Sequence, residues 1–295
     1  AAQHRQDLLG DAQQGQRRPT GERYELRDPF AEVTYRANTF AEMVVKAEHR
    51  MMKRLVAIKV LSPAVTKTKE AAQRFQREVE AAARLTHPNI VGAFDAGQDN
   101  GSPFLVMEYV PGDDLSAIVK KKGPLGIDQA IDCIVQAARG LEFAHKQGVI
   151  HRDIKPANLM LVEAGHIVVA DFSLAKPGEP EVALTQTMEV FGTPYYIAPE
   201  VRRGSAKVDH RADIFSLGVL LHEMLTGKLP IGQYEPSRYD RVVSRCLQEH
   251  PEKRPQSIAE IEKALKPRLP FWWPWAVLVL VIALSGILIE MPFQA

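Results

Sequence analysis

An α+β protein with two lobes, followed by one helix that crosses a membrane, is predicted by the order of residue types along the chain. β-branched and apolar segments of strand length dominate between Val44 and Tyr109, with one helical segment among them. Apolar residues at helical spacing dominate from Leu115 onward. An uncharged apolar stretch then covers 271–289. We therefore expect an antiparallel-sheet lobe with one helix, a mainly helical lobe and a C-terminal transmembrane helix.

The composition is that of an ordinary globular protein. Of 295 residues, 45% are hydrophobic and 25% are charged. The formal net charge is +1, so no bulk electrostatic field favours nucleic acid, and none is predicted as a partner. The two cysteines, Cys133 and Cys246, match no metal-ligand spacing and lie in apolar helical patterns. We expect both to be buried thiols.

The first lobe is predicted over about 23–108, after a polar leader at 1–22 that we expect to be disordered. Its segments have the signals of strands or of a helix. The predicted strands are Val44-Val45, Leu55–Val60, Ile90–Phe94 and Phe104–Tyr109, and the predicted helix is Lys69–Leu85.

The second lobe is predicted over about 111–266. Residues Ile127 to Gln147 have an apolar stripe at helical spacing, which predicts a helix packed against the core. A further helix is predicted from Asp213 to Thr226, ended by Gly227.

The stretch from Phe271 to Ile289 is nineteen residues long and has no charged residue. As a helix it reaches about 28 Å, enough to cross the hydrocarbon core. Aromatic and basic residues typical of a membrane boundary lie at its start: Lys263, Lys266, Arg268, Trp272, Trp273 and Trp275. The basic flank predicts that the preceding lobes are cytoplasmic, with 290–295 as a short tail beyond the membrane. A buried C-terminal helix is the alternative.

The segment from His151 to Asn158 combines side chains that suit phosphoryl transfer. Asp153 can orient a hydroxyl and accept its proton, and Lys155 can neutralise charge on a phosphoryl group. Asn158, with Asp171 thirteen residues later, offers the hard oxygen ligands that Mg²⁺ prefers. The order and spacing of these four residues make chance an inadequate explanation.

With Ala198-Pro199-Glu200 further on, these motifs resemble those of the eukaryotic-type serine/threonine protein kinases, and more closely those of the bacterial membrane-anchored receptor members. The resemblance runs from about Tyr24 to about Leu265, within a domain over 23–266. It implies transfer of the γ-phosphate of ATP, with Mg²⁺, to serine or threonine hydroxyls of proteins. The implied partners are protein substrates and the membrane, in a single-pass protein with a cytoplasmic kinase domain. Homodimerisation is left open.

The resemblance also assigns roles to single residues. The catalytic residues would be Asp153, Lys155 and Asn158, and the metal ligands Asn158 and Asp171. The nucleotide-binding residues would be Lys59, Glu78, Val44, Ala57, Glu108, Val110, Met160 and Asp171. Glu200 would pair with Arg254, and Asp213 would hold the catalytic-loop backbone. A phosphorylated Thr185 or Thr187 would bind Arg152.

Three departures from the family pattern keep other functions open. Ala37, Thr39 and Glu42 stand where the glycines of the phosphate loop are expected, and no glycine occurs between Glu22 and Val91. Ser173 replaces the glycine after Asp171-Phe172, and the segment between Pro230 and Pro251 is short for the family. The main alternative is a pseudokinase that acts as a membrane-tethered interaction module. A small-molecule phosphotransferase is the third reading.

Overall fold

The computed structural model describes residues 24–26, 42–61, 69–99, 102–172, 194–205, 207–230 and 239–265. Several sequence predictions lie outside these ranges: the leader 1–22, Ala37, Thr39, Ser173, Thr185, Thr187 and the apolar stretch 271–289. Within the described ranges, no helix combines the length and the apolar character needed to span a bilayer.

A five-stranded antiparallel sheet forms the first lobe. The antiparallel sheet was predicted, but the strand Tyr24–Leu26 was not among the predicted strands. The strands follow the order β1-β2-β3-β5-β4. Their bounds are Tyr24–Leu26 (β1), Glu42–His49 (β2), Arg54–Leu61 (β3), Ala93–Asp99 (β4) and Ser102–Glu108 (β5). One helix, α1, covers Lys69–Ala82, and its apolar face packs on the sheet through Phe75, Leu61 and Leu105.

Several element boundaries in this lobe differ from the prediction: β2 extends well beyond the predicted Val44-Val45, and β4 and α1 also differ. The strand expected at Ile90–Phe94 is β4, which begins at Ala93 and alternates between half-buried and exposed positions. Ile90 instead forms a parallel bridge with Val169, and Val91 N donates to Val169 O at 2.9 Å, so the most apolar residues join the two lobes. Helix α1 ends at Ala82 rather than Leu85, because Arg84 N donates to Ala81 O and tightens the last turn.

The second lobe is mainly helical, as predicted. Its helices are Leu115–Lys122 (α2), Ile127–Lys146 (α3), Pro199–Arg202 (α4), Arg211–Thr226 (α5), Asp240–Cys246 (α6) and Ile258–Leu265 (α7). A three-stranded sheet consists of Asp113–Asp114 (β6), Leu159–Leu161 (β7) and Ile167–Val169 (β8). Gly227 ends α5 in the left-handed conformation, with φ 69°, which confirms the predicted end of the helix.

The main hydrophobic core lies in this lobe, around α3 and α5. Ile134, Leu141 and Leu220 are fully buried there, and the same cluster reaches Ile90 at the junction between the lobes. Cys133 and Cys246 are buried unpaired thiols, as expected. Burial raises the pKa of Cys133 to about 11 and that of Cys246 to about 12. Neither thiol is therefore a reactive nucleophile at neutral pH.

Candidate active site

A buried lysine links the two lobes through two carboxylates. Lys59 on β3 is 3% exposed, and its Nζ lies 2.7 Å from Glu78 Oε1 on α1 and 2.9 Å from Asp171 Oδ1. Burial alone would raise the pKa of Asp171, but the charge of Lys59 and its hydrogen bond lower it overall. Asp171 is therefore an ionised acceptor at neutral pH.

The loop before β7 brings three further predicted site residues together. Lys155 Nζ lies 2.7 Å from Asp153 Oδ2. Asn158 Nδ2 donates to Asp153 O at 2.7 Å and to Asp153 Oδ2 at 3.2 Å. The two donors fix the direction of the Asp153 carboxylate, which is what a group that orients a substrate hydroxyl requires.

A fully buried aspartate on α5 holds this loop. Asp213 accepts the backbone N–H groups of His151 at 3.0 Å and of Arg152 at 2.7 Å, and its Oδ2 lies 2.7 Å from His145 Nε2. Arg152 has φ 66°, a left-handed conformation that costs a non-glycine residue about 1–3 kcal/mol. Burial would raise the pKa of Asp213, but the bond from His145 and the nearby imidazoles lower it. The ionised carboxylate thus holds a strained backbone in place.

His151 joins the loop to the segment that carries Asp171. Its Nε2 lies 3.0 Å from Ala170 O, and its ring packs against Phe172 at 4.6 Å between centroids. Asp171 itself has φ 62°. A second strained residue is therefore fixed on both sides, and the two motifs read from the sequence form one rigid unit.

The residues predicted to bind the nucleotide base lie on the inner face of the sheet or near it. Val44 pairs with Lys59 across β2 and β3, and Ala57 lies two residues from Lys59, so the three share one face. Glu108 N donates to Gly92 O at 2.8 Å, so a base would have to bind the Glu108 carbonyl instead. Val110 lies just after β5 and Met160 lies on β7, and both side chains are half-buried. Their contact with adenine stays a prediction.

The side chains present fit a magnesium ion shared with phosphates. Because the Asn158 amide nitrogen faces Asp153, its carbonyl oxygen points away from that carboxylate. Asp171 contributes an ionised carboxylate next to Lys59. A carboxylate and an amide oxygen are the donors that Mg²⁺ uses when substrate phosphates and water complete its shell.

Comparison with known proteins matches residues 40–267 to the protein kinase domain family. The chain belongs to the protein kinase family. A Clostridium acetobutylicum protein described as a probable serine/threonine-protein kinase is 37% identical over 242 residues, which cover 74% of this chain and 36% of that protein. The serine/threonine-protein kinase PknB of Mycobacterium leprae is 39% identical over 237 residues, which cover 71% of this chain and 38% of that kinase. The chain thus spans little more than a third of these relatives.

A solved structure agrees with the sequence relatives. The crystal structure of the Mycobacterium tuberculosis PknI kinase domain superimposes with a TM-score of 0.63 at 31% identity, and the match covers 77% of this chain and 91% of that domain. The two-lobed kinase fold and the resemblance to serine/threonine kinases are therefore confirmed. The chain carries a kinase domain of the serine/threonine class.

A buried ion pair stabilises the second lobe of this kinase domain at the predicted place. Arg254 is 1% exposed and donates from both terminal nitrogens to Glu200, at 2.7 and 2.8 Å. Its remaining N–H groups donate to the backbone oxygens of Gln248, Arg211 and Glu249. All five donors of the guanidinium are thus used, which confirms the structural pairing of Glu200 with Arg254.

Three contacts near the site were not predicted. His145 bonds Asp213, Tyr196 O–H donates to Glu223 in a short hydrogen bond, and Lys46 Nζ lies 4.4 Å from the centroid of the Tyr109 ring. Each joins residues that are distant in the chain or on different elements. No periodic pattern marks such pairs, although a histidine at the end of an apolar helix was a visible signal for the first.

Proposed function

We propose that this chain transfers the γ-phosphate of Mg-ATP to serine and threonine hydroxyls of proteins. The observation that carries the proposal is the position of Lys59, bonded at once to Glu78 and Asp171. A cation suited to phosphates and a carboxylate suited to a metal ion therefore lie 2.9 Å apart, which supports the proposal. Asp153 and Lys155 come from the loop that Asp213 and His151 fix to the same segment.

The residues divide the reaction among them. Asp153 orients the substrate hydroxyl and receives its proton, while Lys155 stabilises the charge that develops on the phosphoryl oxygens. Lys59 holds the phosphates against the sheet, and Glu78 keeps Lys59 extended toward them. Magnesium, held by Asp171 and Asn158 when bound, would neutralise the phosphate oxygens. The fixed backbone lets these groups act without further rearrangement.

A peptide substrate is favoured over a small molecule by the segment before α4. Tyr195 is 47% exposed there, while the neighbouring Tyr196 is buried and bonded to Glu223 on α5. Ser216 Oγ also donates to Tyr196 O at 2.7 Å. The segment is thus exposed at the surface while its backbone is fixed by contacts with α5, an arrangement that suits the binding of an extended peptide.

Labelled transfer tests the proposal. The full chain, reconstituted in lipid vesicles, is incubated with γ-labelled ATP, Mg²⁺ and a mixed protein substrate, beside Asp153→Asn. We expect label on serine and threonine from the wild type, and a loss of about 10²–10⁴-fold in the variant. Label on tyrosine alone, or equal transfer by both proteins, would contradict it.

The pseudokinase alternative rests on the missing phosphate-loop glycines. Glu42 is the first residue of β2, where it pairs with Leu61, two residues before Val44 on the same strand. A carboxylate near the triphosphate would weaken ATP binding by like-charge repulsion, by roughly tenfold after relaxation. Calorimetric titration of ATP and ADP against wild type and Glu42→Gly tests this, because ADP should gain less than ATP from the substitution. An unchanged ATP dissociation constant would contradict the repulsion.

Membrane attachment is the second part of the proposal. It is supported by the uncharged sequence from Phe271 to Ile289 and its basic, tryptophan-rich flank. The kinase domain would then lie at the cytoplasmic surface of a single-pass protein. The full chain should stay in the membrane fraction through carbonate and high-salt washes, and its release by either wash would contradict the anchor.

A further inference from the structure

The turn between β2 and β3 displays two adjacent methionines to solvent. Met51 is 89% exposed and Met52 is 59% exposed. Hairpin turns are normally made of glycine, asparagine, aspartate and other polar residues, so large apolar side chains at such a tip need a reason. Single exposed apolar residues are common, and the surroundings of this pair decide the case.

Two hydrogen bonds close the turn. Lys53 N donates to His49 O at 2.8 Å, and Met52 N donates to His49 Nδ1 at 3.2 Å. Lys53 takes the left-handed conformation, with φ 51°, that closes the turn. The two methionines therefore project from a hydrogen-bonded backbone, so presenting them to a partner costs little backbone conformational entropy.

Cationic residues flank the methionines in the sequence. Arg50, Lys53 and Arg54 all lie within 49–54, although the whole chain has a net charge of only +1. Lys53 lies 4.0 Å from Glu48, whose carboxylate is nearly buried. Among the ion pairs of the described residues, none involves Arg50 or Arg54. The positive charge at the tip is thus only partly balanced.

Two further apolar side chains near the turn are exposed on the same five-stranded sheet. The Arg54 guanidinium lies 3.7 Å from the centroid of the Phe94 ring, which is 43% exposed. Leu55, the next residue of β3, is 38% exposed and points to the opposite face of the strand. The tip is therefore a convex apolar projection with cations around its base.

We propose that the hairpin tip, residues 49–54, docks on the surface of an anionic lipid bilayer. Met51 and Met52 would enter the boundary between headgroups and acyl chains, and Arg50, Lys53 and Arg54 would bind the lipid phosphates and carboxylates. A convex tip suits a soft continuous surface, whereas a protein partner would need a matching pocket. The inference deepens the proposed membrane attachment and rests on it for strength, because a tethered domain meets the bilayer at high effective concentration.

Docking in this way leaves the catalytic cleft open. Lys59 lies five residues along β3 from Arg54, a separation of roughly 17 Å in an extended strand. A bilayer at the tip would therefore orient the kinase domain without covering the site between the lobes.

A fluorophore at the tip tests the proposal. In Met52→Cys, an environment-sensitive probe can be attached selectively, because Cys133 and Cys246 are buried. The labelled full chain is reconstituted in phosphatidylcholine vesicles and in equimolar phosphatidylcholine–phosphatidylserine vesicles. We expect blue-shifted, brighter emission in the anionic vesicles alone, with quenching by spin-labelled lipid. A probe at the exposed Gln98, as Gln98→Cys, should not respond.

Charge-removing variants give the matched comparison. The triple change Arg50→Gln, Lys53→Gln and Arg54→Gln should shift the anionic-lipid titration by on the order of a hundredfold. Since Arg54 also stacks on Phe94, the double change Arg50→Gln and Lys53→Gln leaves that contact in place and should shift it by roughly tenfold or more. An unchanged titration in the double variant would overturn the proposal.

The other outcomes are also decisive. Equal emission in neutral and anionic vesicles would overturn the proposal. A blue shift without lipid that grows with protein concentration would indicate a protein partner and would overturn it too.

Vesicle flotation, measured in parallel, distinguishes binding through the C-terminal anchor from binding through the hairpin tip. Flotation only with anionic vesicles, together with the probe response, supports the tip and contradicts the anchor. Phosphate transfer is measured independently of both.

Discussion

At the scale of the residue, the site depends on charges that are buried but paired. Lys59, Asp171 and Asp213 are each stabilised by a specific opposite charge or by N–H donors, which outweigh the cost of leaving water. Two non-glycine residues, Arg152 and Asp171, are held in left-handed conformations beside them. The local geometry therefore depends on a few contacts that single substitutions can remove.

Asp213→Asn should change how stability depends on pH. The pKa of Asp213 is lower in the folded protein than in the unfolded chain, so its contribution is present above the unfolded-state value of about 3.9 and is lost as pH falls through the folded-state pKa. Below pH ~3.9 the wild-type unfolding free energy should rise with pH more steeply than that of the variant, by up to about 1.4 kcal/mol per pH unit. Urea titrations at several acidic pH values measure the slopes. The exposed Asp128→Asn is the control, and equal slopes for wild type and Asp213→Asn would contradict the account.

Arg254→Met should lower the unfolding free energy by about 3–5 kcal/mol, because Glu200 would keep a buried charge without its partner. Arg254→Lys should recover little, since an ammonium cannot reproduce the two-pronged bond to Glu200. Urea unfolding measures both. Lys121→Met, which breaks an exposed pair with Asp113, should stay close to wild type. A loss no larger than that of the control would refute a structural role for the Glu200–Arg254 pair.

At the scale of the element, close packing of α3 on the junction between the lobes positions the site. Gly140 lies in the middle of this helix, where a Cβ would come within 2.8 Å of Asn89 O and 3.3 Å of Ile90 Cγ1. Asn89 Nδ2 in turn donates to Ile167 O at 2.8 Å. Helix α3, strand β8 and the segment that follows α1 are therefore closely packed around Asn89.

Gly140→Ala should destabilise the protein although alanine favours helix by about 1 kcal/mol. The new methyl would press on a backbone oxygen that cannot rotate away, and we expect a net loss of about 1–3 kcal/mol. Thermal or urea unfolding measures it. Gln129→Ala, at an exposed position of the same helix, should be neutral or slightly stabilising. Equal stability of Gly140→Ala and wild type would contradict this account, because it would mean that the packing around Asn89 can rearrange to accept the methyl group.

At the scale of the whole molecule, the sequence was sufficient for the two-lobed fold and for the grouping of Lys59 with Glu78. Strand alternation and helical periodicity report which face is buried, and the motifs supply the order of the elements. The same signals misplaced β4, because the apolar residues Ile90 and Val91 pair with Val169 at the junction between the lobes rather than with the strands of the sheet. They also gave no sign of the left-handed Arg152, since backbone conformation at a non-glycine residue is set by tertiary contacts.

The missed pairings have a similar cause. Tyr196 and Glu223, or His145 and Asp213, meet only after the chain has folded. Periodicity identifies a buried face but not the residue that it will face. Polar pairs that no family motif marks, such as these two, are therefore the part of the site that a single sequence leaves open.

Phosphate transfer by Asp171→Asn tests the central claim most directly. Wild type, Asp171→Asn and the exposed control Asp128→Asn are compared as full chains in single-turnover assays with γ-labelled ATP, after urea unfolding has shown that each is folded. We expect transfer to fall by at least about a hundredfold in Asp171→Asn, because the neutral amide weakens both metal binding and the bond to Lys59. The control should match wild type. Equal transfer by Asp171→Asn and wild type would contradict the claim that this cleft catalyses phosphoryl transfer.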